Sequence, residues 1–280
     1  MKQTFFLALI FIAVFSCSDE TSDTDNNNNN QNNNQFDGDV LLTTQQEVDE
    51  FGANEYSIIN GNIEIRNNNV TIDNTTITNL SSLNSITTVN EDFIIADNRG
   101  LTNLNGLNNL TTVGGYLSIF ENSITSINGL DNIDSVGSSF QIYENDDLTD
   151  ISGASSITSV SGLLIELNPQ LATLNGFENL STVSGGMSIR DNVSLSSIEN
   201  FNNLSELKVL VVLRNNLLPN LDCFSNLNFL NQTLNIIDNQ NLNDFCGLEV
   251  AISNSPGLSA TITGNQNNPS IEDIGNGNCN

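Results

Sequence analysis

Carboxylates recur at matched places in this sequence: Asp97, Glu121, Glu144, Asp191 and Asp238 each stand one residue before an Asn. Such a row could hold Ca²⁺, which takes oxygen ligands. A facing pair of carboxylates is also the equipment of a glycoside hydrolase. Neither chemistry finds its sequence context. There is no DxDxDG loop and no GGxGxD phrase, and no carboxylate is set apart from the rest as acid or nucleophile. His is absent, which removes the side chain best suited to proton transfer and metal ligation near neutral pH. No nucleophile–base pair, P-loop or dinucleotide fingerprint occurs. The chain is therefore expected not to be an enzyme, with no catalytic residue, metal or cofactor. The carboxylate row reads as a solvated edge that keeps sheets from associating.

The elements that would carry this row follow from the period of the sequence. The phrase LTNLNGLNNLTTVGGYLSIFEN returns with its apolar positions kept and most others changed. Its final Asn recurs as Asn98, Asn122, Asn145, Asn168, Asn192, Asn215 and Asn239, in steps of 23 or 24 residues. That period fits one turn of a solenoid and is too short for a propeller blade. Within a repeat, Leu101, Leu104, Leu107, Leu110 and Val113 fall every third residue, and Gly and Asn between them disfavour long helices. The pair Leu117-x-Ile119 has the period of a strand. One repeat cannot bury its apolar side alone, so neighbours must stack into a continuous core. The expected fold is mainly β: a right-handed solenoid of 23–24-residue coils with a parallel β-sheet and short helical caps. Its parts are an N-cap over 38–62, coils over 63–241 and a C-cap over 242–280. Thr44-Gln45-Gln46-Glu47 is a capping box that starts a helix in the N-cap, and Gly52 can stop it. In the C-cap, 244–252 predicts a short helix, 260–262 a last strand and 269–274 a closing helical turn. Residues 69–76 read as an insertion.

The Asn column is expected to be a structural ladder, each inward amide bonding backbone groups at a turn. Counting back from each Asn places two columns on the outer side of the sheet. One is Ile94, Ser118, Gln141, Leu164, Ser188, Val211 and Asn235; the other is Ala96, Phe120, Tyr143, Glu166, Arg190, Leu213 and Ile237. Phe120 and Tyr143, on adjacent coils, could stack on a sugar or anchor a protein. With Leu164, Glu166 and Arg190 they form the candidate binding residues.

Charge narrows the partners. Six basic residues face 33 acidic ones, for a net charge of −27. Such a surface repels nucleic acid and anionic lipid. Met1-Lys2 followed by the apolar run over 5–15 reads as a signal peptide spanning 1–16, too short to cross a membrane as a mature helix. From residue 17 to 37 the chain is acidic and Asn-rich and is expected to be a disordered tether. The sequence sets no oligomeric state.

Val14-Phe15-Ser16-Cys17 resembles a bacterial lipobox, which implies that Cys17 is lipidated, and Cys17-Ser18-Asp19-Glu20 resembles the acidic export signal of Bacteroidetes surface lipoproteins. Leu117-Ser118-Ile119-Phe120-Glu121-Asn122-Ser123-Ile124 matches the LxLxxNxL half of a leucine-rich repeat. The fuller phrase LTxLxGLxxLxxVxGxLxIxxN resembles the receptor L domain-like repeats of those lipoproteins. So do LTTQQEVDEFG near the start and Asp244-Phe245-Cys246-Gly247-Leu248 with Gly277-Asn278-Cys279 near the end. The resemblance covers residues 38–280 and implies a lipid-anchored outer-membrane protein exposed at the cell surface, touching the membrane only through its anchor. It further implies binding or adhesion to a protein or glycan. A structural or protective surface protein without a ligand is the alternative, and a carbohydrate-active enzyme is third. In an oxidising compartment two of the three remaining cysteines should pair. Cys246 with Cys279 matches the family phrases, and Cys223 with Cys246 is the alternative.

Overall fold

The computed structural model describes residues 34–67 and 76–280. Cys17, the signal peptide and most of the tether lie outside the described residues, as does nearly all of the 69–76 insertion. The described residues fall in one compact unit, 33–280. It is mainly β, with 32% strand and 13% helix.

Ten strands pair in parallel, each with the next. They are Val40–Leu42, Ile63–Arg66, Phe93–Ala96, Leu117–Phe120, Ser139–Tyr143, Ser159–Glu166, Thr182–Arg190, Glu206–Leu213, Phe229–Ile237 and Ser259–Thr263. A second line of two-residue strands runs beside the first half: Gln35–Phe36, Ile58–Ile59, Thr88–Val89, Thr112–Val113 and Ser135–Val136. In the second half the two lines merge into single strands of eight or nine residues. The local sequence accounts for the change. Turn formers such as Asn90-Glu91-Asp92 and Gly114-Gly115 interrupt the early repeats. Glu206–Leu213 has Lys208 between Leu207 and Val209, which a strand accepts with a register shift.

Alternation along the strands sends two columns into the core. One is Phe93, Leu117, Phe140, Leu163, Met187, Leu210 and Leu234; the other is Ile95, Ile119, Ile142, Ile165, Ile189, Val212 and Ile236. All are at most 1% exposed. Opposite them Phe177, Phe201 and Phe224 stack at centroid distances of 5.3 and 5.8 Å. The spacing follows the parallel strand separation of about 4.8 Å. Where the chain must cross the backbone of the preceding repeat, only Gly fits. Gly106 and Gly129 have φ of 111° and 112°, and a Cβ there would collide with the carbonyls of Leu80 and Leu104.

The Asn column is fully buried from Asn98 to Asn239 apart from Asn122, at 4%. Each backbone N–H donates to the side-chain oxygen of the next Asn, as Asn122 does to Asn145 at 3.2 Å and Asn145 to Asn168 at 3.2 Å. Each Nδ2 donates to a core-strand carbonyl, as Asn145 does to Ile119 at 3.0 Å. Asn265 and Asn268 close the column. Asn265 was not anticipated, because it stands 26 residues after Asn239 rather than 23 or 24. A second, exposed row was also missed. Asn109, Asn132, Asn179, Asn203 and Asn226 donate to a carbonyl 24 or 25 residues back, at 2.5–2.8 Å.

The ends differ from the repeats. Thr44 caps helix Gln45–Gly52 with a reciprocal capping box to Glu47. The expected N-cap boundary at residue 38 needs correction, since Gln35–Phe36 already pairs with Ile58–Ile59. At the other end a 3-10 turn, Cys246–Leu248, leads into helix Glu249–Ser253. Strand Ser259–Thr263 and helix Ile271–Gly275 follow. Cys246 is joined to Cys279 by a disulfide, and Cys223 is free and buried. Burial pushes the Cys223 thiol far up, so it is a poor nucleophile.

Candidate binding face

The strands hold their outward residues in two rows by register. The row nearer the turns reads Arg66, Ala96, Phe120, Tyr143, Glu166, Arg190, Leu213, Ile237. The second reads Glu64, Ile94, Ser118, Gln141, Leu164, Ser188, Val211, Asn235. The expectation that these columns are exposed holds unevenly. Ala96, Ser118 and Glu166 are buried, at 0, 5 and 7%. Small Ala96 and Ser118 sit between larger neighbours, and Glu166 is covered by the side chains it binds. Phe120, Tyr143 and Leu164 are half-buried, and Arg190 is exposed.

Phe120 and Tyr143 stack face to face, with centroids 4.6 Å apart and planes 7° from parallel. This corrects the idea of an open sugar platform. Parallel strands set the rings side by side at nearly the strand spacing, so each ring turns one face to the other and points its rim outward. Burial pushes the Tyr143 phenol up, so the ring keeps its proton more tightly than a free tyrosine. The Arg66 guanidinium lies 5.9 Å from the Phe120 ring centroid, within cation–π range. Arg66 was not named from the sequence. It precedes the insertion, so counting back from the Asn column does not reach it, although Ile63-Glu64-Ile65-Arg66 alternates like the other strands.

Glu166 and Arg190 do not face outward as free groups. Arg190 Nη2 lies 2.7 Å from Glu166 Oε2, and Ser188 Oγ donates to Glu166 Oε1 at 2.6 Å. Both carboxylate oxygens are thus engaged, so Glu166 orients Arg190 rather than offering charge to a partner.

The carboxylate row adopts left-handed backbone, from φ 53° at Glu121 to 58° at Asp191. Arg214 holds Asp191 with two hydrogen bonds, Nε donating to Oδ1 and Nη2 to Oδ2, each at 2.6 Å. Arg66 bridges Glu64 at 3.0 Å and Asp97 at 3.4 Å. Among the described residues, Glu121 and Glu144 form no ion pair. Asp97 is pushed up to about 6, by burial first and then by its hydrogen bond to Glu121 and that group's charge, which outweigh Arg66 and Arg99.

That shift has a sign. A carboxyl bound more tightly to its proton in the folded state contributes stability fully below its unfolded value, 3.8, and loses it as pH rises through 6. Asp97→Asn is therefore expected to raise the melting temperature at pH 7.5 and to flatten its rise between pH 7.5 and 4. Melting curves of the two proteins that stay parallel across this range would refute the like-charge contact.

A shallow groove of about 340 Å³, lined in part by Thr182, Ser184, Glu206 and Lys208, lies at the other ends of these strands. None of the anticipated binding residues lines it. No helix of the described residues is long and apolar enough to cross a membrane. Asp244 lies close to the two bridged sulfurs of Cys246 and Cys279, whose disulfide already accounts for that cluster. Comparison of the chain with protein-family models, curated proteins and solved structures returns no match.

Proposed function

We propose that this chain is a lipid-anchored, cell-surface binding or adhesion protein. In this reading it coils as a right-handed solenoid of the receptor L domain-like kind and presents the outer face of its sheet to a partner, without performing chemistry. The observation that carries the binding face is the stacked Phe120–Tyr143 pair, standing on the outer side of the sheet with Arg66 against one end. Parallel pairing at offsets of 23 or 24 residues between most strands supports the solenoid, and right-handed crossover is the hand such connections take. The lipobox-like Val14-Phe15-Ser16-Cys17 and the acidic, Asn-rich segment behind it support anchoring at the bacterial outer membrane. The second reading is a structural or protective surface protein without a ligand. The closed Glu166–Arg190 pair favours it, because that part of the face is already satisfied internally.

The two readings separate on one comparison. Cells displaying the Phe120→Ala/Tyr143→Ala protein are expected to attach to an array of peptides and neutral glycans about tenfold less well than the parent, near 1.4 kcal/mol. Asn235→Ala is the control, since Asn235 lies on the same face. Ser188 is unsuitable because it donates to Glu166. Attachment equal to the parent, or no attachment by the parent itself, would favour the structural reading.

A further inference from the structure

We infer that the occupant of this face is a cationic polypeptide segment whose Lys or Arg side chains lie across the Phe120 and Tyr143 rims and end at Glu121 and Glu144. The inference rests on the binding-face reading and specifies its partner.

Three observations carry it. The first is ring orientation. A sugar stacks on a free aromatic face, where the π density lies. Here one face of each ring is taken by the other ring at 4.6 Å. The second face of Phe120 meets Arg66, and the strand on the far side of Tyr143 places Glu166 in register with it. What remains outward are rims, which suit a hydrocarbon chain rather than a pyranose. Lys and Arg bring such a chain and keep their charge beyond it.

The second observation is where the uncompensated charge falls. Glu64, Asp97, Glu166 and Asp191 each have an arginine. In the same row Glu121, Glu144 and Asp238 are exposed and have none, and of these only Glu121 and Glu144 follow an aromatic ring, Phe120 and Tyr143, directly in the chain. Rims and carboxylates without an arginine therefore coincide on the same two strands, Glu121 also sharing a hydrogen bond with Asp97. The carboxylates, whose backbones are one strand separation apart, about 4.8 Å, can be met by alternate basic side chains of one extended segment, which share a face about 6.6 Å apart.

The third observation is the surrounding field. With a net charge of −27, the surface attracts cationic ligands from a distance and repels anionic ones. Attraction alone would not choose a site; the rims and the two carboxylates beside them that no arginine neutralises do.

The test uses the full chain and a short fluorescent polylysine peptide, with a neutral glucose oligosaccharide as second probe, in about 0.15 M salt so that distant charges are screened. The peptide is expected to bind the parent. Glu121→Gln/Glu144→Gln should weaken binding about tenfold or more, and Phe120→Ala/Tyr143→Ala should do likewise. Glu178→Gln/Glu206→Gln removes the same charge elsewhere and should change binding less than about twofold. Equal weakening by the two Gln pairs would reduce the effect to bulk charge and overturn the inference. Oligosaccharide binding that depends on Phe120 and Tyr143, without peptide binding, would keep the face and overturn the cationic partner. Binding of neither probe by the parent would overturn both.

Discussion

Replacing Cys17 by Ala is expected to abolish lipid labelling and to release the protein from the membrane fraction as a soluble form. Cys17 stands where the apolar run over 5–15 has ended and acidic sequence begins, the junction at which a lipobox cysteine is acylated. The effect should be large, because attachment is proposed to rest on Cys17. No helix of the described residues is long and apolar enough to cross a membrane, and a surface of net charge −27 is repelled by anionic lipid. Anchoring would rest on acyl chains, at about 0.8 kcal/mol per buried CH₂, and on more than one chain for stable retention. Fractionation and labelled-palmitate incorporation read the result. Retention of the Ala protein in the membrane fraction with unchanged labelling would contradict the anchor.

The second large effect is expected inside the sheet. Asn145→Ala removes the acceptor of the Asn122 N–H and the donor to the Ile119 carbonyl, both in a position that is fully buried. A buried donor left without a partner costs about 1–3 kcal/mol. For a domain of this size that is roughly 4–8 °C in melting temperature for a 2 kcal/mol loss. Asn105→Ala is the control, an exposed position between Leu104 and Gly106. Asn108 is a poorer choice, because its side chain accepts from the Gly106 N–H at 3.2 Å. Equal melting temperatures for the Asn145 and Asn105 variants would mean that the buried amides do not hold adjacent repeats together.

Much of the scaffold was legible because its rules are periodic. Leu117-x-Ile119 marks a strand by alternation, and the structure has Leu117–Phe120 there. The capping box at Thr44 locates helix Gln45–Gly52 by side-chain chemistry alone. What escaped lies where the period breaks or where two side chains settle each other's state. Asn265 falls outside the 23–24 spacing, and Arg66 sits upstream of the insertion. Alternation gives the side of the sheet on which Glu166 stands, but not that Arg190 and Ser188 would engage both of its oxygens. It also gives Phe120 and Tyr143 as neighbours, but not that their rings would lie parallel with only the rims free. Pairwise geometry of that kind depends on rotamers and on strand separation, neither of which a residue pattern encodes.

The central claim is that a partner rests on the face around Phe120 and Tyr143. Its most direct measurement is photo-crosslinking from p-benzoylphenylalanine placed at position 120 in cells displaying the full chain, beside the same group at position 105. The account predicts a discrete adduct from position 120, suppressed by excess polylysine peptide, and none from position 105. No adduct from position 120, or the same adduct from both positions, would contradict it.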